Sequence, residues 1–128
     1  MRNALIVSLA VLLVLGAGLY LVVTPPPGAV RAVEGYVRAA CDHDWARAEG
    51  YLDGPALAAA RAARAQADRL PPEKVLSVKV RKVYAAGDAA VLAVRAVTER
   101  DGVVLSTEWT VSLVRDGGWK IVRVARGY

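Results

Sequence analysis

Twenty consecutive residues, Ala4 to Val23 (ALIVSLAVLLVLGAGLYLVV), carry no charge, and only Ser8 and Tyr20 bring polar groups. As a helix rising about 1.5 Å per residue, this run covers about 30 Å, the thickness of a bilayer's hydrocarbon core. A helix bonds its own backbone groups, so lipid is an acceptable solvent for it. The expectation is a cytoplasmic head over residues 1–3, a transmembrane signal-anchor over 4–23, and the remaining chain outside the cytoplasm. The rival is a cleaved secretory signal, for which Arg2 and the α-amino group supply the positive start. Such a signal's apolar core stops after about 7–15 residues at a small-residue site. Here the run continues through Leu19–Val23, and its small-x-small triplet, Gly16-Ala17-Gly18, lies inside it. Under either reading the rest of the chain crosses the membrane. Arg2 precedes the span while Arg31 and Arg38 follow it, a weak bias. The very short head favours an N-terminus inside the cell.

This segment accounts for the high hydrophobic share, 55%, and the mean hydropathy of +0.33. The net charge is +5, with 17 basic residues scattered among 12 acidic ones. Scattered charge permits loose contact with anionic lipid or cell-wall polymer, but it lacks the clustered patch that nucleic acid needs. Cys41 is the only cysteine, so no intramolecular disulfide can form. A free thiol of this kind behaves as a small buried hydrophobe.

Thr24-Pro25-Pro26-Pro27-Gly28 marks the boundary of the span, a stiff extended spacer over 24–28. Residues 29–128 then suffice for one domain. Their first half has helical spacing. Val30, Val33, Val37 and Ala40-Cys41 recur at steps of three and four, while Arg31, Glu34 and Arg38 take other faces. Cys41-Asp42-His43-Asp44 interrupts, and Asp44 is a natural cap for a second helix carrying Trp45, Ala48 and Tyr51-Leu52. Asp53-Gly54-Pro55 closes that helix and opens an alanine-rich third one, from Ala56 to about Arg69. Its apolar face is Leu57, Ala60, Ala67 and Leu70, and Pro71-Pro72 end it. Alanines bury little area, so this helix should either pack closely or cover something loosely.

The second half changes period. Val75–Tyr84, Ala89–Arg100, Val103–Arg115 and Trp119–Ala125 are β-branched and largely alternating. They are separated by Gly87-Asp88, Asp101-Gly102 and Asp116-Gly117-Gly118. Asp-Gly is a strong hairpin signal because the favoured two-residue turn needs positive φ at both positions. Short turns give an antiparallel four-stranded meander, and helices before strands give an α+β fold with the helices on one sheet face. Leu105, Thr107, Trp109, Val111 and Leu113 form the core side of the third strand, and Trp119 and Ile121 begin the last in the same sense. The second strand is apolar on both sides, Leu92, Val94 and Ala96 against Val91, Ala93 and Val97. A two-sided apolar strand calls for cover on both faces.

This order of elements resembles the nuclear-transport-factor-2-like superfamily, a cystatin-like cone of helices on a curved sheet. The residues that carry the resemblance are the turn Cys41-Asp42-His43-Asp44-Trp45 and the ending Leu113-Val114-x-x-Gly117-Gly118-Trp119-Lys120-Ile121, within a stretch from Gly28 to Tyr128. The family includes isomerases, dehydratases and non-enzymatic domains. Membrane-anchored members of bacterial type occur among secretion-system assembly factors and in the N-terminal regions of penicillin-binding proteins. The enzymes among them, such as ketosteroid isomerase, hold an acid, base or oxyanion donor inside the cone.

Here the positions expected inside carry Thr107 and hydrophobes, with no carboxylate. Glu108 falls on the face opposite Trp109, and Glu99 sits near a hairpin. His43 is the only histidine, and its neighbouring acids rarely converge on one ion, so the turn reads as a helix cap and not as a metal site. Neither a phosphate loop nor a nucleophilic triad is present, and no cofactor is implied. Tyr36, Trp45, Tyr51, Thr107 and Trp109 are the candidate pocket lining, and Val91, Ala93 and Val97 the candidate interaction face. The first functional expectation is a non-enzymatic, membrane-tethered domain acting through a protein partner or self-association on that exposed sheet face. The second is a small apolar ligand, or isomerase-like chemistry, inside the cone. A secretion or cell-wall assembly role is the third.

Overall fold

Proline opens the first helix of the domain. The computed structural model describes residues 24–126. The span expected over 4–23 lies outside them, and among the described residues no helix is long and apolar enough to cross a membrane. Helix α1 runs Pro27–Cys41, so the spacer expected over 24–28 is shorter than its composition suggests. A proline at the first helical position loses no hydrogen bond and has its φ preset. The Val30 N–H already donates to the Pro26 carbonyl at 3.0 Å. Gly28 is part of this first turn, and a Cβ there would come within 2.7 Å of the Trp119 indole. The bare glycine lets the helix start lie on that ring.

His43, with a left-handed φ of 60°, ends the helical path. The Asp44 carboxylate accepts the Arg47 N–H at 3.3 Å and caps α2, Trp45–Glu49. This helix is shorter than its apolar stripe implied. Tyr51 and Leu52 leave it to bridge the sheet. The Ile121 N–H donates to the Tyr51 carbonyl at 2.8 Å, and the Asp53 N–H donates to the Ile121 carbonyl at 2.9 Å. Asp53 then caps α3, Gly54–Ala67, with Pro55 in its first turn.

The strands are β1 (Lys74–Ala86), β2 (Ala89–Arg100), β3 (Val103–Arg115) and β4 (Trp119–Arg126). They form one antiparallel sheet in the order β1-β2-β3-β4, with the helices on one face, so the α+β meander is as the sequence indicates. Asp101 and Gly102 take φ of 52° and 79°, the turn that their sequence encodes. The register shifts twice along β1, between Val75 and Ser77 and between Lys82 and Tyr84. Such bulges bend and twist a sheet.

Across the inner face the register aligns Ala90 with Leu113 and Ile121, Leu92 with Val111 and Val124, and Val94 with Trp109 and Arg126. Helix α1 presses Ala29, Val33 and Val37 onto this surface, and Leu92, Val94, Leu113 and Ile121 are sealed from solvent. The outer face corrects the expectation of an exposed Val91-Ala93-Val97 surface. Ala93 is only 2% exposed, and Val91 and Val97 are half-buried. Ala93 is small and lies between Arg81 of β1 and Thr110 of β3. The longer side chains beside it close over it. Next to it, Arg95 bonds to its cross-strand partner Glu108 on the same face.

Candidate functional site

Helix α3 has one buried residue, Ala56, in fourteen. Ala60, Ala63 and Ala67 line a cavity of about 390 Å³ between this helix and the rest of the domain. Tyr36 and Val37 of α1, Trp45 of α2, and Leu105, Thr107 and Trp109 of β3 complete its apolar walls. A second space of about 440 Å³ lies between α3 and β4 and shares Tyr36, Ala60 and Ala63 with the first.

Four of the five residues expected to line a pocket, Tyr36, Trp45, Thr107 and Trp109, meet around this cavity. Tyr51 does not line it. Its ring covers Gly35 on α1 so closely that a Cβ there would overlap it. Tyr51 was expected on the continuing stripe of the second helix, but that helix stops at Glu49 and its ring is carried elsewhere.

One wall is polar. The Thr98 hydroxyl donates to one oxygen of Glu73 at 2.5 Å, and the Arg100 guanidinium bonds to the other. The Glu73 N–H donates to the Cys41 carbonyl at 3.0 Å, fixing the segment before β1 against the end of α1. A carboxylate thus stands on the cavity wall, supplied by the residue before β1 and not by the interior sheet positions, where none is expected. Partial burial alone would push the Glu73 carboxyl up. The hydrogen bonds from Thr98 and Arg100, with the Arg100 charge, outweigh that and hold it below the usual range. Arg100 also keeps its Nε buried with no hydrogen-bond partner.

Sequence reasoning missed Glu73, Thr98 and Arg100. The last two were open to it, because continuing the Leu92, Val94, Ala96 alternation places Thr98 and Arg100 on the inner face. Glu73 lies just outside a strand, where no periodicity points.

The chemistry available here is limited. Burial, reinforced by the Glu73 and Asp42 carboxylates, pushes the Cys41 thiol up to about 11, so it is protonated and a poor nucleophile at neutral pH. Burial, with a smaller contribution from Cys41, also raises the Tyr36 hydroxyl. Glu73 is ionised and occupied by two donors, and a carboxylate held below its usual range is a weak general base. The Asp42-His43-Asp44 turn is a structural joint. The His43 ring stacks on Trp45 at 5.0 Å, and the Trp45 indole N–H donates to Asp68 at the end of α3 at 2.5 Å. Among the described residues no group of three or more His, Cys, Asp or Glu side chains is placed to hold a metal ion. No protein-family model, curated protein or solved structure matches this chain.

Proposed function

We propose that this chain is a membrane-tethered binding domain, of the nuclear-transport-factor-2-like cone type, that holds a small apolar ligand under α3 without transforming it. The observation that carries the reading is the cavity of about 390 Å³ between helices and sheet, walled by Tyr36, Trp45, Trp109 and alanines. Concave sites with aromatic walls and few polar groups are the usual form of small-molecule pockets. Binding is favoured over turnover because Glu73 is committed to Thr98 and Arg100 and Cys41 stays protonated. The uncharged run over 4–23 supports a single-pass tether with the domain outside the cytoplasm.

A protein partner or self-association on the outer sheet face is the second reading. The half-buried Val91 and Val97 support it, while the shielding of Ala93 narrows the surface to those two side chains.

The test is fluorescence titration of the full chain in zwitterionic nanodiscs with a neutral naphthylamine dye, with empty discs subtracted. Saturable binding is expected, lost in Ala60→Trp while thermal stability is kept, because Ala60 lines both spaces. Binding that is absent, or that survives Ala60→Trp, contradicts the proposal.

A further inference from the structure

The start of α1 decides which end of the domain lies nearest the uncharged run over 4–23. Only Thr24, Pro25 and Pro26 separate that run from Pro27, where α1 begins. Three residues span at most about 10 Å, so the first turn of α1 stays that close to the end of the run. Two hairpin turns stand at the same end. Gly28 lies against the Trp119 ring at the start of β4, and the Arg115 guanidinium sits 5.4 Å over that ring. Arg115 in turn bonds to Asp88, in the turn between β1 and β2, at 2.9 Å. Beside these turns, Tyr84 pairs with Val91 and Val114 with Ala89, two residues away on β2, so Tyr84 and Val114 share the outer sheet face. Both are exposed, as is Val83 in the adjoining bulge; Val83 and Tyr84 are 51 and 56% accessible.

We propose that this hairpin end of the domain lies on the headgroup interface of the bilayer, with Val83, Tyr84 and Val114 in contact with lipid. The inference rests on the tether over 4–23. A tyrosine ring, apolar in its body and polar at its tip, suits the headgroup level. Arg115 and Asp88 are paired with one another, so neither asks for an oppositely charged lipid. Val103 and Val104 are as exposed, at 57 and 58%, but they follow the Asp101-Gly102 turn at the other end of the sheet. Helix α1, about 20 Å long, separates the two ends, and Ala40 and Cys41 at its far end line the cavity under α3. The cavity therefore stands at the end away from the bilayer.

The test is methyl and aromatic NMR of the full chain in zwitterionic nanodiscs, one chain per disc, with and without a lipid carrying a gadolinium chelate on its headgroup. Signals of Ala29, Val83, Tyr84 and Val114 are expected to be lost, and those of Val103 and Val104 kept. Tyr84→Asp with Val114→Asp should restore the Val83 signal and leave Ala29 lost, because the tether alone holds Ala29 near the lipid. Loss at Ala29 without loss at Val83, Tyr84 and Val114 overturns the inference and leaves the tether standing. Equal loss at Val103 and Val104, or a Val83 signal still lost in the double variant, overturns it as well. Outer-face signals that stay sharp with one chain, but shift when two chains share a disc, assign the surface to a second copy and overturn it too. If the chain separates from the discs and no signal is lost, the tether reading fails and the inference with it.

Discussion

Two helices of similar length cover the same face of one sheet, and they do so differently. Helix α1 buries Ala29, Ala32, Val33, Val37 and Ala39, and Leu92, Leu113 and Ile121 of the sheet beneath it are buried, with only a small space of about 80 Å³ beside Val33, Val37 and Ile121. Helix α3 buries only Ala56, and beneath it the sheet presents Thr98, Arg100, Leu105 and Trp109 to an open space. The difference lies in side-chain reach. Helix α1 sets Val33 and Val37 among its buried alanines, whereas α3 lines the cavity mainly with alanines, and short side chains fill less of the space between a helix and a sheet. One end of the domain is therefore closely packed, and the other holds the larger open space.

The comparison breaks first at the closed end. Ile121 is fully buried and takes part in the bridge to Tyr51 and Asp53. Ile121→Ala should cost about 2–5 kcal/mol in chemical denaturation, as for other large-to-small changes in filled cores. A loss below about 1 kcal/mol would mean that this end is not sealed.

At the open end the effect is smaller and depends on pH. Glu73→Gln should cost about 1–2 kcal/mol at neutral pH, because it removes a charge-assisted bond to Arg100. The native Glu73 carboxyl sits below its unfolded value of about 4.3. Its contribution is therefore complete above that value and fades as pH falls through the native one. Denaturation of both proteins across pH 2–7 should show the two stabilities converging on the acid side. A gap that stays constant with pH would show that the lost interaction is not ionic.

Much of this architecture is legible in the sequence. The four strands and their hairpins follow from alternation and Asp-Gly turns, and the Asp44 and Asp53 caps from their positions before apolar runs. The alanine-rich third helix is expected either to pack closely or to cover something loosely, and with Ala56 its only buried residue it takes the second course. The polar wall was not legible in the same way. Glu73 meets Thr98 and Arg100, 25 and 27 residues further along, through a contact that tertiary folding alone creates. The outer face misled for a related reason. Ala93 looked available because one strand was read alone, yet its exposure is set by Arg81 and Thr110 on the strands beside it. Tyr51 was misplaced because local spacing continued a helix that a bridge to Ile121 cuts short.

The most direct test of the contrast between the two ends is methyl and aromatic NMR of the full chain in nanodiscs, with a soluble nitroxide added. Signals of Ala60, Leu105 and Trp109 should broaden strongly, while those of Leu92, Leu113 and Ile121 should stay sharp. Equal protection at both ends would contradict the account, because it would mean that α3 closes on the sheet and leaves no chamber for a ligand.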